Sequence, residues 1–431
     1  MHDDDQELAT RRLLAHLGTA ILATGAPVHE VEDEVRELGS HLGYADVQVA
    51  AAATGLTLSL RSGAMATVET VRGPLRLDQG ADVRLVRHRL MTGQITPAEA
   101  DQVLLSLRSK RSPYPGWASS LGYVAISTGI ALILQPGWAN VAAAAVGGVL
   151  VVALLQIAGR LPAFASLVPT VAAFLVGLEV FAAAEAGLLD GPLRTVLPAL
   201  AVLLPGALLV TGLSELAAGH MVAGASRLLY GTVQLVLFTL GLTAATAALG
   251  TPASRLDNVR VDSPGWWAAP VGLIVILGGI AALEGVRLAQ LPWVGVVLGL
   301  TFAAQLGGQL TGSAALGAFL GALLASFGAT LVELVHPEIP RLVVFIPSFW
   351  LLVPGSLGLI GVSQVVIAHG SGGGAYEVVT TIGAIAVGLM LGTSLTGTAR
   401  SAVRRLRRSA RPPRTTPRAA AGRGSSPASS D

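Results

Sequence analysis

Residues 198–220 read PALAVLLPGALLVTGLSELAAGH, and residues 347–369 read PSFWLLVPGSLGLIGVSQVVIAH. At a constant shift of 149 positions, Pro198, Leu203, Pro205, Gly206, Gly212, Ser214 and His220 fall on Pro347, Leu352, Pro354, Gly355, Gly361, Ser363 and His369. The same ungapped shift carries Pro115-Gly116-Trp117 onto Pro264-Gly265-Trp266, and Gly129, Gln156, Gly159 and Leu161 onto Gly278, Gln305, Gly308 and Leu310. Alanine and leucine coincide by chance in an apolar chain. Tryptophan, glutamine, histidine and paired Pro-Gly do not, so this part of the chain is a duplication.

Outward from these stretches the chain is strongly apolar. Runs long enough to cross a bilayer core start near Ala118, Ala139, Phe164, Leu193, Leu228, Trp267, Leu291, Ala314, Leu342 and Val378. Each repeat holds five of them. An odd number makes the second repeat enter the membrane from the opposite side, which gives an inverted pair, a recurrent transporter construction.

Composition agrees. Hydrophobic residues make up 52% of the 431 positions and charged residues 13%, with a mean hydropathy of +0.66, a balance foreign to water-soluble globules. The charges are uneven: residues 1–111 hold 27 of the 54 Asp, Glu, Lys and Arg, and residues 112–398 hold 17. The sequence therefore predicts a polytopic all-α membrane domain of ten transmembrane helices in two inverted five-helix repeats, preceded by a small α+β cytoplasmic domain. The expected divisions are a soluble head at 1–111, the first repeat at 112–249, the second at 250–398, and a basic tail at 399–431 too polar to fold alone. Arginines from Arg400 to Arg408 follow the last apolar run and favour a cytoplasmic C-terminus. With the head inside, Arg160, Arg227, Arg287 and Arg341 fall in cytoplasmic loops, and Arg194, Arg255 and Arg260 outside. Met1-His2-Asp3-Asp4-Asp5 has the wrong charge for a signal peptide.

The chain has no cysteine, which excludes disulfides, thiolate metal sites and thiol nucleophiles. No cofactor, metal site or nucleic-acid partner is indicated. His220 and His369 lack companion ligands at metal-binding spacing. Outside the folded parts the tail offers only loose contact with anionic lipid.

Candidate pathway residues follow from what a bilayer tolerates. A helix broken by Pro-Gly frees backbone groups that only protein or a watery cavity can satisfy, so Pro205-Gly206 and Pro354-Gly355 are candidate substrate contacts; kinks that merely shape packing are the competing reading. One to three turns later come Ser214, Glu215 and His220, and in the second repeat Ser363, Gln364 and His369. Ionisable Glu215 opposite neutral Gln364 gives the pair chemical asymmetry suited to a proton or an ammonium; solvation near helix ends is the alternative. The other intramembrane carboxylates are Glu179, Glu185, Glu284, Glu333 and Glu377, of which Glu179 and Glu333 read as the deepest, and Gln156 and Gln305 form a repeat-related pair. Interhelical hydrogen bonding would explain these equally well.

In the head, helical periodicity at 7–23 and 28–42 is separated by Gly25-Ala26-Pro27. Alternation at 47–51, 56–61 and 66–72 predicts strands, and helices follow at 79–92 and 97–109. Thr96-Pro97-Ala98-Glu99 is a helix start with a capping box. The cluster His29, Glu30, Glu32, Asp33 and Glu34 invites a metal or hydrolase reading but lacks a nucleophile motif, and a solvated acidic face is expected.

The segment Leu14 to Gly43, with Gly25, Val31-Glu32 and Leu42-Gly43, three strands, and Gly93 to Ala100 resembles the threonine/serine exporter family. Leu204-Pro205-Gly206, Ser214-Glu215-Leu216, Gly219-His220 and Gly224 to Arg227 are similar to its first membrane motif, and Ile346 to Trp350 through Val353 to Ser356 to its second. The likeness covers about residues 8–397. It implies a secondary exporter of the bacterial inner membrane, not an enzyme, moving threonine or serine outward against protons, and it brings Arg227 into the pathway set. A homo-oligomer is compatible with it. Two-subunit relatives are associated with dicarboxylate export, which makes a succinate-like substrate the alternative; a membrane-bound hydrolase using the head is another. Glu215 stands where the family motif usually has aspartate, and His29 where its head motif usually has arginine.

Overall fold

The computed structural model describes residues 2–251, 259–261, 265–336, 339–352, 376 and 379–395. Pro354, Gly355, Ser363, Gln364, His369, Glu377 and the basic tail lie outside the described residues.

The N-terminal part begins with α1 (His2–Leu22) and α2 (Val28–His41), followed by an antiparallel sheet of β1 (Gln48–Ala52), β2 (Gly55–Ser59) and β3 (Thr67–Thr70), then α3 (Leu77–Met91) and α4 (Pro97–Ser106). Alternation decides which side of the sheet is covered: Val49 pairs with Leu58 across β1 and β2, and both are buried. They join Leu13, Leu17, Val31, Val35 and Val83 in one apolar cluster. Between α1 and α2 the chain reverses at Gly25, whose φ of 84° belongs to the left-handed region open to glycine. Pro27, extended, then starts α2. Thr96 caps α4 by accepting from the Glu99 N–H, and the Glu99 carboxylate accepts from the Thr96 N–H.

The apolar part is helical throughout the described residues: α5 (Gly116–Leu134), α6 (Trp138–Arg160), α7 (Val168–Glu185), α8 (Pro192–Leu200), α9 (Gly206–Ala217), α10 (Met221–Leu249), α11 (Ala268–Glu284), α12 (Leu291–Gln309), α13 (Ala314–Val335), α14 (Arg341–Leu351) and α15 (Val379–Leu395). Six stretches are long and apolar enough to cross a membrane, those containing α5, α6, α7, α10, α12 and α13, while α9, α11, α14 and α15 are shorter apolar helices. This is a polytopic helical membrane protein. Leu229, Val233, Val236 and Leu240 stand exposed along α10 at helical spacing, a row that water disfavours and lipid accepts.

Small residues set the packing. A Cβ on Gly122 would lie 2.6 Å from the Gly279 carbonyl oxygen, and one on Gly129 2.8 Å from that of Gly272. The partner number falls as the first rises, so α5 and α11 run antiparallel in backbone contact, an approach that only small residues permit. Gly241 of α10 lies as closely on Ala173 of α7, and Gly392 of α15 on Ser326 of α13.

Around this crossing lie two apolar clusters, one built mainly from α6 to α8 and α10, the other mainly from α11 to α14. Val210 of α9 leaves the first and is buried instead with Ala318, Ala322, Phe349 and Ile385. It can do so because the chain breaks between α8 and α9: Pro205 has no N–H to continue a helix, and Gly206 starts the next one.

Candidate functional site

The re-aimed α9 meets the N-terminal part and the last helices around a cavity of about 310 Å³. Thr24 to Pro27, His29 and Glu30 form its roof, and Val210, Thr211, Ser214 and Ala218 of α9 one wall. Arg341, Leu342, Phe345 and Ile346 of α14 and Leu389, Met390, Thr393 and Ser394 of α15 complete it. The lining is mostly apolar with a few polar groups, as in small-ligand sites, and the volume is at the low end of their range of about 300–1,000 Å³.

Two of the lining groups carry opposite charge. Arg341, at the first turn of α14, has its Nη1 3.7 Å from Glu30 Oε1, its Nη2 3.4 Å from Ser326 Oγ, and its guanidinium over the Phe345 ring at 5.5 Å. Its Nε is buried with no hydrogen-bond partner among the described residues, and so is His29 Nδ1. The His29 ring packs on His220 with centroids 5.5 Å apart.

Behind the roof, Glu215 is 0% exposed. Its Oε1 accepts from the Val28 N–H at 2.9 Å, and its Oε2 lies 3.4 Å from Arg227 Nε. Arg227, 7% exposed, also reaches the Ala26 carbonyl at 3.5 Å. The carboxylate therefore sits at the N-terminus of α2, where free N–H groups and the helix dipole favour negative charge. Glu284 repeats the device at α3, accepting from the Leu77 N–H at 3.2 Å. Glu333 does the same for α14, accepting from the Arg341 N–H at 3.3 Å.

Over residues 12–249 the chain matches the family model described as "Putative threonine/serine exporter". The chain belongs to that threonine/serine exporter family. That family is one of exporters, not of enzymes. The chain is also similar to pheromone-regulated membrane protein 10 of Kluyveromyces lactis, 27% identical over 258 residues that cover 56% of this chain and 26% of that protein. It thus spans about a quarter of that relative's length. No solved structure matches.

Against this geometry the candidate residues separate into groups. Ser214 lines the cavity, while Glu215, His220 and Arg227 lie just behind its roof. Pro205 and Gly206 do not line it; they supply the break that aims α9. Glu333 stands one contact away, through Arg341. Glu179 is remote, with its Oε2 toward Gly147 of α6. Gln156 is exposed and 3.5 Å from Ser120 Oγ, and Gln305 packs on Gly321 of α13. Glu185 accepts from Thr251 Oγ1.

Glu215 is fully buried because α2 covers it. Two sequence readings need correction. Arg227 and Arg341 are not loop charges: both lie inside helices and are held by glutamates. The acidic face of α2 is mostly not solvated, since Glu34 pairs with Arg84 and Arg87, Glu32 with Arg36, and Glu30 with Arg341, leaving Asp33 79% exposed. Among the described residues no group of three metal-ligating side chains converges.

Proposed function

We propose that the protein is a secondary exporter of small polar amino acids, threonine and serine, coupled to protons, and that the cavity under Glu30 and Arg341 is its inward-facing binding site. The observation that carries this reading is the cavity's position: α9 from one half of the apolar part and α14 and α15 from the other enclose it together. A site shared between two halves is where rocking of one against the other would expose a ligand alternately.

The halves are read as inverted five-helix repeats at 112–249 and 250–398, ten crossings in all, behind an α+β head at 1–111. Support comes from the α5–α11 crossing. Adding 149 to Gly122 gives 271, and to Gly129 gives 278, each one residue short of the other's partner, Gly272 and Gly279. A two-fold axis in the membrane plane would produce such an exchange. The break between α8 and α9 supports a discontinuous helix at the site.

Proton coupling is assigned to Glu215, whose Oε2 has no hydrogen-bond partner among the described residues. An intramembrane carboxylate beside a cavity is a natural proton carrier. The head and the arginine-rich run from Arg400 to Arg408 are placed on the cytoplasmic side of a bacterial plasma membrane, following the positive-inside rule. The test is efflux of labelled threonine and serine from proteoliposomes with and without a pH gradient, with succinate as the rival substrate. Gradient-dependent loss of the amino acids is expected, and movement of succinate alone would replace the substrate assignment.

A further inference from the structure

The cavity's two charges come from opposite layers: Glu30 from the N-terminal part and Arg341 from a helix of the apolar part. Their closest approach, 3.7 Å, is too long for a hydrogen bond. Each is also under-used. The Glu30 carboxylate makes no hydrogen bond among the described residues, and Arg341 leaves Nε buried without a partner while Nη2 only grazes Ser326. A guanidinium in this condition is incomplete, since its fork of donors matches a carboxylate. Leaving a buried donor unpaired is costly unless something arrives to take it.

We propose that Glu30 and Arg341 are the two poles of a receptor for a zwitterionic α-amino acid, Arg341 taking the carboxylate through Nε and Glu30 the ammonium. This assignment rests on the exporter reading of the cavity and adds that the head supplies half of the binding site. The ligand's two charges sit on one carbon, so the poles, in ion-pair contact here, must part by several ångström to admit it. The side-chain hydroxyl of the ligand then meets Thr211 and Ser214 on α9. A dicarboxylate fits poorly, because one of its ends would face Glu30. Insertion replaces the direct Glu30–Arg341 contact with a bridge through the ligand, so occupancy changes how the head is held on α14.

The test uses the full chain in proteoliposomes, reading counterflow of labelled L-threonine. Unlabelled L-threonine, its methyl ester, N-acetyl-L-threonine and succinate serve as competitors. In the wild type, ester and N-acetyl compound are each expected to compete about 10- to 100-fold more weakly than threonine, the span of one lost hydrogen bond to a charged group. Glu30→Gln is expected to raise KM for threonine by a similar factor and to erase the discrimination against the N-acetyl compound but not that against the ester. Arg341→Gln should do the reverse, and Glu30→Asp should restore part of the affinity. Competitor ranking in the wild type needs no variant to fold. If N-acetyl-threonine competes as well as threonine while threonine is transported, the two-pole receptor is wrong and the exporter reading survives. If the wild type moves no amino acid at all, both fall together.

Discussion

Glu215 and Arg227 face each other across the turn between α9 and α10, Oε2 to Nε at 3.4 Å, both buried beneath the start of α2. Each also holds backbone of the N-terminal part: Glu215 takes the Val28 N–H, and Arg227 reaches the Ala26 carbonyl. One ion pair thus joins the α9–α10 corner to the segment that roofs the cavity.

Breaking that pair from one side leaves a buried charge unmatched. Glu215→Ala is expected to destabilise the protein by about 3–5 kcal/mol, while Glu215→Leu with Arg227→Met loses clearly less than the sum of the single changes. Thermal unfolding in detergent measures both. In proteoliposomes Glu215→Gln should abolish gradient-driven efflux, so that substrate stays inside; unchanged efflux would remove Glu215 from the coupling.

The docking contact can be tested at its donor. Val28 is the first residue of α2, where proline is tolerated by the helix. Val28→Pro keeps α2 but deletes the N–H that Glu215 accepts. The expected loss is about 1.5–3 kcal/mol, the value of a hydrogen bond to a charged group, together with faster proteolysis at the Gly25–Pro27 turn. Equal cleavage rates would mean that the roof is held by something else.

The α5–α11 crossing separates two glycines that sequence treats as equivalent. A Cβ on Gly129 would meet Ile276 Cγ1 at 2.7 Å and the Gly272 carbonyl at 2.8 Å, whereas nothing lies within 4 Å of one on Gly278. Gly129→Ala should therefore cost about 1–3 kcal/mol through overpacking. Gly278→Ala should be neutral or stabilising by up to about 1 kcal/mol through helix propensity. Unfolding midpoints that move alike would contradict the crossing.

In the N-terminal part, the Thr96 N–H and hydroxyl hold the Glu99 carboxyl below its usual value. A depressed folded value means that this contribution is full above the ordinary glutamate range, about 4.3, and lost as pH falls through the folded value. Backbone shifts of Pro97–Ser106 should follow that titration in NMR and stop following it in Glu99→Gln.

Much of this was legible locally. Pro205 announces the break before α9 because it has no N–H, and Thr96 announces α4 because its side chain caps a helix. Alternating Leu56 and Leu58 announce β2, since one side of the sheet is covered. Hydropathy put the start of the fifth apolar run near Leu228, and α10 begins at Met221, because polar Ser226 and Arg227 mask its first two turns. What was not legible is what distant parts do to each other. Nothing around Glu30 shows that Arg341 answers it, and nothing around Glu215 shows that α2 will bury it. Both depend on how the N-terminal part docks, which no period of the chain encodes.

Export itself is tested most directly with purified protein in proteoliposomes loaded with labelled threonine, serine or succinate, following release with and without an imposed pH gradient. Threonine or serine should leave in a gradient-dependent way that Glu215→Gln removes. Release of none of the three, or release indifferent to the gradient, would contradict a proton-coupled exporter.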